Sequence, residues 1–149
     1  MLSDSLKILL ADDDESDRLL FTDALKELKT KTIVHTVSDG IELMDYLTKN
    51  GNDLPQLIFL DLNMPFKNGF ECLKEIRSNY KLNDVAIAIF STSLAEKDIE
   101  ETFINGANVY INKPNSFEGL KKALNKVILT AHSYQNTSYN KSNFLLRID

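Results

Sequence analysis

The chain has little of what would staple it, export it or attract nucleic acid. Its 149 residues hold one cysteine, Cys72, so no internal disulfide can form, and a reducing cytoplasm is the compartment that fits. The opening Met1-Leu2-Ser3-Asp4-Ser5 lacks the basic stretch and long apolar core of a secretory leader. Apolar runs are short, as from Val85 to Phe90, far below the ~20 residues that span a bilayer. Lys and Arg number 17 against 22 Asp and Glu, a net charge of −5, which leaves no basic footprint for direct DNA or RNA binding. Five Gly and three Pro are too few for a fibrous or low-complexity chain, and no internal repeat is visible. The expectation is one soluble globular domain, 43% hydrophobic and 26% charged, with residues 1–131 as its body and 132–149 as a tail.

What is present is an alternation. Five short apolar runs, Leu6–Ala11, Thr32–Val37, Gln56–Leu60, Val85–Phe90 and Val109–Asn112, read as strands covered on both faces. Between them Leu20, Ala24 and Leu28, then Ile41, Met44 and Leu47, then Phe70, Leu73 and Ile76 recur at helical spacing. Ile99 and Phe103 mark a fourth helix ending near Gly106, and Phe117, Leu120, Leu124, Val127 and Ile128 a fifth. Ser38 or Asp39 can cap the second helix, Asn50-Gly51 can end it, Ser93 can cap the fourth, and Asn115 with Glu118 resembles a capping box before the fifth. Strand–helix units repeated five times predict an α/β fold, a doubly wound parallel sheet in the flavodoxin-like order 2-1-3-4-5. Beyond Ala131 a polar stretch leads to the apolar Phe144-Leu145-Leu146-Arg147-Ile148, which is expected to dock weakly on the domain.

In such a sheet ligands bind beyond the carboxyl ends of the strands. Strand one runs into Asp12-Asp13-Asp14-Glu15, strand three into Asp61, strand four into Ser91-Thr92-Ser93 and strand five into Lys113-Pro114. Asp12, Asp13 and Asp61 brought together repel one another unless a cation intervenes. Magnesium suits them, because it takes one or two carboxylates and fills its octahedron with water and phosphate oxygen. A carboxylate can serve as nucleophile toward phosphorus, and phosphoryl transfer asks for positioning and positive charge more than for proton transfer. Asp61 is the candidate nucleophile, Lys113 the cation and Ser91 the hydroxyl that hydrogen-bonds the arriving group.

The set Leu9-Leu10-Ala11-Asp12-Asp13, Phe59-Leu60-Asp61-Leu62-Asn63-Met64-Pro65, Asn68-Gly69, Phe90-Ser91-Thr92-Ser93 and Tyr110-Ile111-Asn112-Lys113-Pro114 resembles the receiver domains of bacterial two-component response regulators. The resemblance covers Leu6 to Leu129. It implies Asp61 as phosphoacceptor, Asp12 and Asp13 as the acidic pair, and the backbone carbonyl of Asn63 as a further magnesium ligand. It also implies Ser91 as the switch hydroxyl, Lys113 as the phosphate-binding lysine, Tyr110 as an aromatic that swings inward on activation, and a cis bond before Pro114. The phosphodonor would be a phosphohistidine on a histidine kinase or a phosphotransfer protein. With no output domain in the chain, the signal would pass to another protein or through a homodimer.

Other readings attach to the same residues. Asp14 is an alternative to Asp13 as second ligand, and Asp14, Glu15 and Asp17 also suit the first turn of a helix. Lys67 places an extra cation near the site. Cys72 and Met64 read as core, and His35 and His132 are too isolated for a metal site. An aspartate-nucleophile phosphatase would need a second aspartate where Asn63 stands. A receiver-like module that is never phosphorylated would lack one of the acidic, hydroxyl or lysine positions, and all are present.

Overall fold

The computed structural model describes residues 5–49, 53–131 and 141–146. Strands and helices alternate: β1 (Leu6–Ala11), α1 (Glu15–Lys26), β2 (Thr32–Val37), α2 (Gly40–Lys49), β3 (Leu57–Leu60), α3 (Gly69–Ser78), β4 (Ala86–Ser91), α4 (Glu96–Ile104), β5 (Val109–Asn112) and α5 (Phe117–Thr130), followed by a single turn, α6 (Lys141–Phe144). The five strands are parallel and lie in the order β2-β1-β3-β4-β5, the flavodoxin-like arrangement that the sequence predicts. No helix among the described residues is long and apolar enough to cross a membrane.

The two-residue period of a strand divides each apolar run between two cores. Ile8, Leu10, Phe59 and Phe90 face one side, where they meet Phe21 and Leu25 of α1 and Leu124 and Val127 of α5. Leu9, Ala11, Ile58, Leu60, Ile87 and Ile89 face the other, against Leu43 and Leu47 of α2 and Leu73 and Ile76 of α3. Phe21, Phe59 and Phe90 pack edge to face, with centroids 4.9, 5.8 and 6.3 Å apart. That cluster turns α1 so that Phe21, Ala24 and Leu25 are buried, whereas Leu20 of the predicted stripe is 47% exposed. Ile41 likewise faces solvent, and Leu43 takes its place in the core.

Register positions the site. Ala11 pairs with Leu60 and Leu60 with Ile89, so Asp12, Asp61 and Ser91 leave the sheet at nearly one level. The Asp61 amide donates to the Ala11 carbonyl at 2.9 Å, and the Lys113 amide to the Ser91 carbonyl at 2.8 Å.

Several boundaries and caps differ from the sequence reading. Gln56 precedes β3, its side-chain oxygen accepting from the Lys7 amide at 3.0 Å. Val85 precedes β4, its amide closing a turn onto the Leu82 carbonyl, while Ser91 joins the strand opposite Asn112. Asp39 caps α2 by accepting from the Glu42 amide at 2.8 Å, and Glu42 reaches back to the Ser38 amide. The cap of α5 is Ser116, which accepts from the Gly119 amide at 3.0 Å, not Asn115, because the helix starts one residue later than expected. Ala95 stands at the cap of α4 without a side-chain bond, and Ser93 instead accepts from the Ala95 amide and donates to Asp98 at 2.7 Å. Asn50-Gly51 and His132 lie outside the described residues.

Candidate functional site

Asp12 and Asp61 are the first residues beyond β1 and β3, and burial follows from their place between flanking loops. Asp12 is fully buried and Asp61 is 6% exposed. Asp12 Oδ1 accepts from the Asp14 amide at 3.0 Å, and the Arg18 guanidinium donates to the Asp12 carbonyl at 2.7 Å. Asp61 Oδ1 accepts from the Asn63 amide at 3.4 Å. Carboxylate oxygens of Asp12, Asp13 and Asp61 lie within 4.8 Å of one another. Asp14, the rival ligand, is committed elsewhere: it is the N-cap of α1 and accepts from the Asp17 amide.

One cation serves this acidic cluster from β5. Lys113 Nζ lies 3.0 Å from Asp12 Oδ2, 3.0 Å from Asp17 Oδ2 and 3.7 Å from Asp61 Oδ2, and 5.2 Å from the centre of the Phe90 ring. Burial works against its charge, but Asp12 first, then Asp17 and Asp61, outweigh that and hold the ammonium above its ordinary pKa. Burial raises the Asp12 carboxyl. Burial also pushes Asp61 up to about 7; Lys113 pulls against the rise, and Asp12 and Asp13 add to it.

A divalent cation fits these groups. Asp12 Oδ2 is buried with no hydrogen bond of good geometry, and the close partner it has among the described residues is the Lys113 ammonium at 3.0 Å. That leaves the oxygen room for a further cation, which a buried carboxylate among like charges favours. Three carboxylates with one such oxygen are a hard-cation donor set.

The loop after β3 is held close to the site by two glycines. A Cβ on Gly69 would lie 2.3 Å from the Asp61 carbonyl oxygen, and one on Gly40 would lie 2.0 Å from that of Lys67. Asn68 caps α3 in a capping box with Glu71. Lys67 pairs with Glu75, so its charge is directed along α3. Asn63, two residues after Asp61, is exposed.

Ser91 is fully buried and its Oγ accepts from the Ser93 amide at 3.1 Å. Tyr110 is fully buried, with its hydroxyl donating to the Ser93 carbonyl at 2.8 Å. Every candidate side chain named from the sequence thus lies at this edge or in contact with its loops. The expected cis bond before Pro114 is absent: no cis peptide occurs among the described residues. The ordinary trans isomer, favoured by about 0.5–1 kcal/mol, already delivers Lys113 to the carboxylates. The residues missed were Asp17 and Arg18. Only their position at the start of α1, which brings Asp17 to Lys113 and Arg18 to the Asp12 carbonyl, carries their role, and no local motif marks it.

Comparison with known proteins agrees with this geometry. Residues 8–125 match the response regulator receiver domain. The chain is 34% identical over 122 residues to the response regulator Rcp1 of Synechocystis, covering 77% of this chain and 81% of that one. It is 33% identical over 125 residues to a CheY homolog, a chemotaxis protein, of Campylobacter jejuni, covering 84% and 94%. Among solved structures, the phosphorylated cyanobacterial phytochrome response regulator RcpA superposes with a TM-score of 0.79 at 33% identity, over 90% of this chain and 97% of that one. The Mn(2+)-bound form of Rcp1 superposes with a TM-score of 0.76 at 27% identity, over 91% and 99%. With the sheet order, the acidic edge and the family match in agreement, the chain belongs to the response regulator receiver domains of two-component signalling.

Proposed function

We propose that this receiver takes a phosphoryl group on Asp61 from a phosphohistidine of a partner kinase or phosphotransfer protein, and signals through protein contacts that depend on it. The observation that carries the proposal is the gathering of Asp12, Asp13 and Asp61 carboxylate oxygens within 4.8 Å of one another at the carboxyl edge of the sheet, with the Lys113 ammonium 3.0 Å from Asp12 and 3.7 Å from Asp61. An Asp61 oxygen attacks phosphorus, the donor's phosphorus–nitrogen bond breaks, and its electron pair stays on the imidazole nitrogen. Asp12, Asp13 and Asp61, with the Asn63 carbonyl, would hold magnesium, which when bound offsets the carboxylate repulsion and the charge of the incoming phosphoryl oxygens. Lys113 neutralises developing charge from the β5 side, and the Ser91 hydroxyl donates to a phosphoryl oxygen once the group has arrived.

The protein is incubated with magnesium and a small acyl phosphate and weighed intact by mass spectrometry. One added phosphoryl group is expected on the wild type and none on Asp61→Asn. A chain that stays unmodified, or an Asp61→Asn variant that still gains the group, would refute the assignment.

A further inference from the structure

The far side of Tyr110 is covered by a segment of the chain that the site does not include. Phe144, at the end of α6, is 2% exposed. Its ring lies 5.3 Å from that of Phe103 on α4 and 6.0 Å from that of Tyr110, each at 64°. Leu145 forms a parallel bridge with Tyr110, and the Leu146 amide donates to the Tyr110 carbonyl at 2.9 Å. The segment therefore pairs with the outer edge of β5, which no other strand among the described residues covers. Leu145 packs on the α2–α3 side of the sheet and Leu146 on the α1–α5 side.

Tyr110 is thus held from both directions. Its hydroxyl is tied to the Ser93 carbonyl, in the loop whose Ser93 amide is tied to Ser91 Oγ, and its ring is backed by Phe144. For the ring to swing outward, Phe144 must give way. An edge-to-face aromatic contact stabilises beyond its buried area, and so biases a two-position side chain.

We propose that Phe144 is a positioning residue: docking of Phe144–Leu146 on the edge of β5 holds Tyr110 inward, so that docking of this segment and phosphorylation of Asp61 reinforce each other. The proposal rests on the phosphoacceptor reading. Reciprocity requires the two effects to share one sign; the sign itself follows from Tyr110, whose ring Phe144 backs and whose hydroxyl is tied through Ser93 to the loop of Ser91. It also implies that a protein binding the α4–β5 face meets a surface already occupied by the chain's own apolar segment.

The test uses the full chain. Hydrogen exchange at the Leu146 amide is followed with and without magnesium and a small acyl phosphate, with the phosphorylated fraction read by intact mass. Protection should rise about fivefold or more on phosphorylation, a modest coupling free energy. Phe144→Ala should lose that protection and show a lower phosphorylated fraction at equal donor concentration, while Phe144→Leu recovers part of both. A merely structural role would lower the melting temperature of Phe144→Ala and leave the phosphorylated fraction at the wild-type value, which would overturn the proposal. So would protection that does not change on phosphorylation, or that falls on dilution and so comes from a second copy. A wild type that gains no phosphoryl group defeats the underlying function; a wild type that gains it equally with Phe144→Ala defeats only this inference.

Discussion

The two edges of the sheet handle charge in opposite ways. At the carboxyl edge, three carboxylates, Asp12, Asp17 and Asp61, crowd one ammonium. At the amino edge, one guanidinium is spread over four acceptors. Arg77, in the last turn of α3, donates to the carbonyls of Gly106 at 2.8 Å, Asn83 at 3.1 Å and Val85 at 2.8 Å, and to Asn108 Oδ1 at 2.9 Å. Asn108 in turn accepts from the Ile87 amide at 2.8 Å. Gly106 completes the arrangement, its φ of +98° being one that L side chains rarely adopt and its open face lying against the Arg77 side chain. The same fold therefore binds its connections with a satisfied cation at one edge and keeps a surplus of acid at the other. Satisfied polar groups hold a fold together, whereas crowded like charges are stable only with a further cation.

The largest effect that would probe this contrast is on stability. Arg77→Ala removes all four hydrogen bonds and should cost about 3 kcal/mol, in line with the loss of several charge-assisted bonds whose values do not add. Chemical denaturation measures it, and phosphorylation of the folded variant should match the wild type. A variant that is folded but slow to phosphorylate would show that the edges are coupled and break the comparison.

The carboxyl edge should behave in the reverse sense. Asp61 is held near 7 in the folded chain and titrates near 3.9 when unfolded. The folded state therefore keeps its proton longer, and this contribution to stability is present below pH ~4 and lost as pH rises toward ~7. Without metal, Asp61→Asn should flatten that fall and be more stable than the wild type at pH 8, by up to roughly 4 kcal/mol at about 1.36 kcal/mol per pKa unit. Magnesium should raise the melting temperature of the wild type and do much less for the variant. A destabilised Asp61→Asn would mean that the site is already balanced.

The sheet was legible because its strands are apolar almost throughout and end in chemistry-bearing residues at the same register. Asp12, Asp61, Ser91 and Lys113 each follow or close such a run, so the strand ends together place them at one edge, though any one of them alone would read as a turn or cap residue. Arg77 was not legible: an arginine in a last helical turn suits the dipole there, and its acceptors come from two loops, before β4 and before β5, that only the tertiary fold assembles. Asp17 escaped for the same reason, as a first-turn acid whose partner is 96 residues away. Phe144 stood out as apolar, but which face it covers depends on the free edge of β5, a property of the whole sheet.

Cys72 separates burial from charge crowding, because it lies on α3 between Gly69 at the Asp61 carbonyl and Arg77 at the other edge. It is fully buried, its thiol facing the Gly40 carbonyl at 3.6 Å, and burial pushes it up to about 12 from an ordinary value of 9.0. Above pH ~9 the unfolded thiol ionises while the folded one does not, so stability should fall by about 1 kcal/mol per pH unit on this account. Cys72→Ala removes that slope, and Tyr110, also raised by burial, cancels in the difference between the two proteins. The expected result is a wild type losing stability faster than Cys72→Ala between pH 9 and 10, by an amount that magnesium does not alter. Equal slopes would show that the thiolate is tolerated in place; a slope that magnesium changes would make the helix a conduit between the edges, and their independence would fail.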